Sequence, residues 1–275
     1  LPDSPALLAR NLAFLERTLV AERGGRVQLR LAGDWHHYRR ELAADGAHCV
    51  VSGGGGAFLH GTVGLRDDPA TSARAWPSPG RSRLLLWRLL LFPVLNPGFS
   101  LLLGTVLALL LWSVDAVSHG LLFHAAAQSG HWLAPALQLF GALTLSPWVP
   151  LSLLAWCLAL VAFVEAPPRN RLHRWRAFVG TAHALAHLWL ALVLLAWVAP
   201  SRLSDPLAFL GAMGLLALLQ GLASGLLFGL YLFLAQQLFA AHAGSAWAAC
   251  RIAGYRHFLR LHIGADGVLQ VYVLG

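Results

Sequence analysis

Residues 99–117, FSLLLGTVLALLLWSVDAV, decide what kind of chain this is. These 19 residues carry a single charge, Asp115, near one end. A hydrocarbon core about 30 Å thick is crossed by roughly 20 apolar residues of helix. The stretch therefore reads as a membrane span, and three more follow it. Residues 148–164, 178–198 and 207–241 are equally apolar, with 17, 21 and 35 residues. The last would make about 52 Å of helix, at 1.5 Å per residue. That is too short for two spans and a turn, so four crossings are expected. Residues 121–145 are apolar but hold His124, Gln128, His131 and Pro135. Polar groups of that kind fit an interfacial or re-entrant helix better than a lipid-facing one.

The whole composition agrees. Of 275 residues, 57% are hydrophobic and 12% charged, half the charged fraction of a soluble domain. Mean hydropathy is +0.63. An ordinary soluble globule and a disordered chain are both excluded. The net charge of +8 comes wholly from arginine on the basic side, since the chain has no lysine. These arginines flank the apolar runs and form no patch for nucleic acid. Arg81, Arg83 and Arg88 precede the first span; Arg169, Arg171, Arg174 and Arg176 lie between the second and third; Arg251, Arg256 and Arg260 follow the fourth. The other two connections hold only Arg202. By the positive-inside rule both polar ends face the cytoplasm, and an even number of spans requires the same. Cys49, Cys157 and Cys250 are too scattered for a disulfide framework or a zinc site.

Working outward from the spans, residues 1–66 read as a soluble domain and 67–98 as a linker with an interfacial segment. The bundle occupies 99–241, and 242–275 form a closing unit. In the first part, Leu8, Leu12, Leu15 and Leu19 make a helical stripe that should face a core, ended by Gly24-Gly25. Residues 26–32 alternate as a half-buried strand, and residues 48–52 make a second. Residues 67–83, rich in Pro, Ser and Arg, look like a linker. At the far end, 258–263 and 268–273 flank the turn Gly264-Ala265-Asp266-Gly267, a hairpin signature. A hairpin alone is marginal in water, so it should dock on the N-terminal part. The sequence begins at Leu1 and its one methionine is Met213, so we expect the C-terminal part of a longer protein.

Chemistry gathers at the two strand ends. Gly33-Asp34-Trp35-His36-His37-Tyr38 follows the first strand, and Gly53-Gly54-Gly55-Gly56-Ala57-Phe58-Leu59-His60 follows the second. Carboxylate and imidazole side by side can bind a divalent metal. The alternative is a hydrogen-bonded loop in which Asp34 caps backbone amides and the histidines are exposed. Gly53–Gly56 is no nucleotide P-loop, because no Gly-Lys-Ser/Thr follows. Two further pairs, Asp115 with His119 and His183 with His187, have the i, i+4 spacing of one helix face. A second metal site or a proton path is one reading of them; packing at the interface is the other. Gly221, Gly225 and Gly229 form a small-xxx-small series, for contact within the bundle or between protomers.

The segment Leu29-Arg30-Leu31-Ala32-Gly33-Asp34-Trp35-His36 resembles the last metal-binding block of the calcineurin-like metallophosphoesterases, a strand ending in G-H-x-H. With the glycine-rich block and the ending Gly254-Tyr255-Arg256-His257-Phe258-Leu259-Arg260-Leu261-His262-Ile263, the chain looks like a bacterial membrane-integral subgroup of that family. The fold this implies is mixed: the C-terminal part of an α/β metallophosphoesterase sandwich, an α-helical transmembrane bundle and a C-terminal β-hairpin. The activity it implies is hydrolysis of a phosphate ester by a hydroxide on two divalent ions, Mn, Fe or Zn. His36 matches the second His of the block and is the first candidate ligand. Asp34 stands where the family has the first His, and His37 is the substitute ligand. His60, Gly54 and Gly55 are candidates for contact with the substrate, and Arg39 and Arg40 read as solvated. The family's earlier blocks, D-x-H, G-D-x-x-D and G-N-H, do not occur in residues 1–25. The chain alone is therefore expected to be inactive. A transporter or structural membrane protein with a degenerate soluble domain is the competing class, and a bacterial inner membrane the expected location.

Overall fold

A computed structural model describes residues 5–63, 73–165, 173–198, 200 and 205–275, with side chains from residue 10 and not at His173. The chain divides into two compact units, residues 1–83 with 252–275, and residues 84–251.

In the first unit, helix α1 (Pro5–Leu15) continues through a π turn (Glu16–Val20) and a 3₁₀ turn (Ala21–Arg23). Gly24, at φ +74°, ends it as the sequence suggests. Strands β1 (Leu29–Ala32), β2 (Tyr38–Leu42), β3 (His48–Ser52) and β4 (Arg74–Trp76) form one sheet in the order β1-β3-β2-β4. β1 runs parallel to β3, with Leu29 beside His48, and the other neighbours are antiparallel. The β2–β3 hairpin turns at Gly46, φ +81°, where Asp45 Oδ1 accepts the Ala47 N–H. Arg30 reaches two carboxylates, Glu16 at 2.7 Å and Asp45 at 2.6 Å, and so ties the helical segment and the hairpin turn to β1.

Two expectations change here. The α1 stripe does not face a core: Leu12, Leu15 and Leu19 are exposed, and the side chain of Leu8 lies outside the described residues. The expected linker, 67–83, lies partly outside the described residues. Its later half contains β4, which hydrogen-bonds along β2 from Tyr38–Trp76 to Arg40–Arg74.

The closing hairpin is present, with β5 (Phe258–Ile263) paired to β6 (Leu269–Leu274) as a separate two-stranded sheet. It is held to the larger sheet by the segment before it. Trp76 packs on Tyr255 at 4.8 Å, and His257 lies edge-on to Tyr38 at 5.8 Å. The strands stay open: Leu261, Ile263, Leu269, Val271 and Val273 share the apolar face of the hairpin and are all exposed. Between that face and the sheet lies a cavity of about 560 Å³, lined by Leu29, Tyr38, Val50, Leu269 and Val271 among others.

In the second unit, α2 (Pro79–Leu85, shared with the first unit's end) leads through a 3₁₀ stretch (Leu86–Leu91) and α3 (Phe92–Leu95) into α4 (Pro97–Val117). Then come α5 (Leu121–Ser129), α6 (Leu133–Ala142), α7 (Trp148–Phe163), α8 (His173–Val198), α9 (Pro206–Phe239) and α10 (Ala243–Ala249). Three of these, α4, α8 and α9, are long and apolar enough to cross a membrane. Their outward leucines, such as Leu102, Leu109, Leu185, Leu218 and Leu226, are exposed, as a helix apolar all round requires of a surface facing lipid. The second expected span, 148–164, is at the short limit: α7 covers all but its last residue, 16 residues or about 24 Å of helix. Its end is set by Glu165, whose backbone N–H and carboxylate both bond His242. Residues 121–145 form two short helices rather than one, broken at Gly130, φ +66°, and neither can span. Leu122, Phe123, Leu139 and Ala142 from them join Leu107, Leu111, Leu195 and Leu216 in the bundle core.

The long helix α9 is unbroken by its glycines, because they are where its neighbours approach. A Cβ on Gly221 would stand 2.7 Å from the Ser100 carbonyl oxygen; one on Gly225 would stand 3.0 Å from Pro93 Cβ; and one on Gly229 would meet the Leu89 carbonyl. On α4, a Cβ on Gly104 would likewise stand 2.7 Å from the Gly221 Cα. In lipid the apolar exterior offers no net drive for association, so backbone approach of this kind supplies the packing. The glycine face is thus filled within the chain, and we propose no oligomer through it.

Candidate metal site at paired strand ends

β1 and β3 are adjacent and parallel, so the loops that follow them, 33–37 and 53–60, leave the same edge of the sheet side by side. Gly53 is where they cross. A Cβ there would press on the carbonyl oxygens of Gly33 and Trp35, so only glycine lets the backbones pass. Three hydrogen bonds then zip the loops together. His36 N–H donates to His60 Nδ1 at 3.1 Å, His60 N–H donates to His36 O at 3.2 Å, and His36 Nδ1 lies 2.8 Å from Phe58 O.

A carbonyl only accepts, so the last bond places the His36 proton on Nδ1 and leaves Nε2 as a bare lone pair. That is the arrangement a ligating histidine needs: one nitrogen oriented by a backbone carbonyl, the other free. His60 is the complement, its Nδ1 accepting and its proton on Nε2, so its part is to brace the loop. Gly56 lies against the His36 ring, where a Cβ would stand 2.5 Å from Nε2. Beside them is a crevice of about 10 Å³ walled by His36, Gly54, Gly56, Phe58, Gly254 and Arg256. That volume admits about one water molecule or one ion.

The remaining sequence candidates part company. His37 is buried, and burial, reinforced by the neighbouring His60 imidazole, pushes its pKa down to about 4. Its Nδ1 has no partner, and it is absent from the crevice wall. Asp34 is exposed at the loop tip. Gly54 is buried against His257, while Gly55 is exposed with open space about it. Burial also lowers the His60 pKa, with the His36 ring 4.5 Å away as the second cause. Arg39 bonds Glu41 at 2.6 Å. Among the described residues, no three His, Cys, Asp or Glu side chains come together as a metal-ligand set. The chain thus presents one oriented imidazole, His36, with Asp34 exposed and His37 buried.

Sequence reasoning gave no role to His257. Its Nδ1–H donates to Tyr255 O at 3.0 Å, and its Nε2 is buried without a partner. The ring occupies the space that the missing Gly54 side chain leaves. Nothing local announces this: the two residues meet only through the fold, and the one clue was two histidine-bearing segments both close to glycine.

Of the pairs in the bundle, Asp115 Oδ1 accepts the Phe123 N–H at 2.8 Å and so caps the start of α5, while His119 is exposed at φ +54°. That pair is structural. His183 and His187 are buried and face each other. No protein-family model, curated protein or solved structure matches the chain.

Proposed function

We propose that this chain belongs to a membrane-anchored, metal-dependent phosphoesterase, and that His36 is one ligand of its metal centre. The observation that carries the reading is the tautomer of His36, fixed by Phe58 O with Nε2 free beside a crevice of ion size. The residues fit the role of one wall of such a centre. When bound, two divalent ions such as Mn, Fe or Zn lower the pKa of water and neutralise charge on a phosphoryl group. The chain's own part is positional. Phe58 O aims the imidazole, His60 locks the two loops in register, and Gly56 leaves the ring room. The exposed Gly55 backbone and Arg256 on the crevice wall are where a phosphate ester would approach.

The site sits on a protein held in a bilayer, which we place in a bacterial inner membrane with both polar ends cytoplasmic, on the distribution of arginine. The buried imidazole pair favours a second reading, a transporter with a degenerate soluble domain. One comparison separates the two. The longest natural polypeptide containing this chain is assayed with manganese against an aryl phosphate, as wild type, His36→Ala and His183→Gln. The phosphoesterase reading expects hydrolysis that His36→Ala abolishes and His183→Gln spares. Efficient turnover that survives His36→Ala overturns it.

A further inference from the structure

The second unit holds a line of polar side chains that no phosphoesterase step uses. His183 and His187 come from α8, Gln220, Ser224 and Tyr231 from α9, His242 from the segment after it, and Glu165 from the end of α7. His187 is fully buried and His183 is 6% exposed. Their Nε2 atoms are 3.0 Å apart. A hydrogen bond there needs one proton between the rings. The accepting ring must then carry its own proton on Nδ1, yet both Nδ1 atoms are buried without a partner, as is Gln220 Oε1. Each such group carries a desolvation cost that apolar residues of like shape would not. Ionisable groups held inside a membrane bundle at that expense point to function.

The hydrogen-bonded pair keeps one uncommitted lone pair, on Nδ1 of the donating ring, too few for a divalent metal, and no third ligating side chain joins them among the described residues. One lone pair suffices for a proton. A route leads outward. The Tyr231 ring stacks on His183 at 4.5 Å, and its hydroxyl lies 2.7 Å from His242 Nε2. That nitrogen also accepts the Glu165 N–H at 2.9 Å, so it is bare and Tyr231 donates to it. At this end a crevice of about 190 Å³ is lined by Glu165, Trp175, Tyr231 and Ala241, with room for several waters.

We propose that His183 and His187 form a proton-binding site within the bundle, loaded from the Glu165 end through Tyr231, whose hydroxyl His242 Nε2 holds in place. Tyr231 borders the crevice, so its oxygen takes a proton from crevice water as it releases its own, through a water molecule, to His183 Nδ1, and one proton enters for each that moves on. The groups that face the pair and its route are few. α7 presents Trp156, edge-on to His187 at 5.8 Å, and α9 presents Tyr231. Glu165, His242 and Arg176, which bonds the carbonyls of Ala162 and Val164, stand at the entrance. Asp115 is held by Phe123 N–H, and His119, His124 and Arg174 are exposed.

Trp156 is a built-in reporter, because an imidazolium beside an indole quenches its emission. The full chain is reconstituted in lipid bilayers and its fluorescence titrated with acid, as wild type, Trp156→Phe, His187→Gln and Tyr231→Phe. The expected result is a reversible loss of up to about one-eleventh of the emission, one of 11 tryptophans, that is missing in Trp156→Phe and His187→Gln. After a pH jump, Tyr231→Phe should reach the same end point at least about 10-fold more slowly. ¹⁵N spectra of the histidine-labelled, unmutated protein must show the same protonation and need no variant to fold. A pH-independent Trp156 signal, or His187→Gln titrating like the wild type, overturns the site. An unchanged rate in Tyr231→Phe overturns the route.

Discussion

Replacing Gly221 by alanine should loosen the junction of α4 and α9, and the cost follows from the contact distances. The new Cβ would lie 2.7 Å from Ser100 O, 3.2 Å from Ser100 C and 3.4 Å from Leu101 Cα. The first is roughly 0.7 Å inside ordinary contact, and the atom it meets is backbone, so α4 itself must retreat. Overpacking of that kind costs about 1–3 kcal/mol. Alanine gains about 1 kcal/mol of helix propensity over glycine, so the net loss is about 0–2 kcal/mol. Gly214, on the same helix, is exposed and has nothing within 4 Å of its would-be Cβ. Gly214→Ala should collect the propensity gain alone, which places the two variants about 1–3 kcal/mol apart. Reversible unfolding in mixed micelles, followed by far-UV circular dichroism, measures that gap. A Gly221→Ala protein as stable as Gly214→Ala would refute the argument that backbone approach holds these helices together.

The first unit, residues 1–83 with 252–275, yields further expectations. Gly56→Ala pushes the His36 ring from its place, so hydrolysis by the full polypeptide should fall about 10–100-fold while Gly80→Ala, in open space on α2, leaves it unchanged. His37 is neutral in its buried place, with a pKa of about 4 against 6.5 unfolded. The unfolded chain binds more protons between those values, so stability is full above 6.5 and declines as pH falls to about 4, by at most about 3 kcal/mol. Denaturant midpoints with chelator present should show that decline, and His37→Asn should flatten it; a flat wild-type profile contradicts the burial of His37. Arg30 holds the Asp45 carboxyl at about 2 and lowers that of Glu16, so a further loss sets in as pH falls from about 4 to about 2. Arg30→Gln should remove this lower arm, and high salt should weaken it, most at the exposed Asp45.

Length and hydropathy made α4, α8 and α9 legible, because a bilayer imposes one pattern on whatever crosses it. They placed α7 to within one residue, but the bonds that close its end, between Glu165 and His242, join residues 77 apart and leave no local mark. The same limit hid β4: Arg74–Trp76 has the composition of a linker, and only its partner β2 makes it a strand. The leucines of α1 have a core-facing rhythm without a core beside them, since periodicity reports a face and not what covers it. At the site, the glycine run and the His36 loop were visible as neighbours of two strand ends. Which histidine had a free nitrogen was not, because that rests on Phe58 O and on the crossing at Gly53. His257 lay beyond reach for the reason that hid β4.

The most direct measurement is the metal content of the longest natural polypeptide containing this chain, determined by elemental mass spectrometry after exhaustive dialysis, for the wild type and for His36→Ala. The account predicts about two divalent ions per chain in the wild type and one or fewer in the variant, with the fold retained. Equal metal content in the two proteins, or none in either, would contradict it.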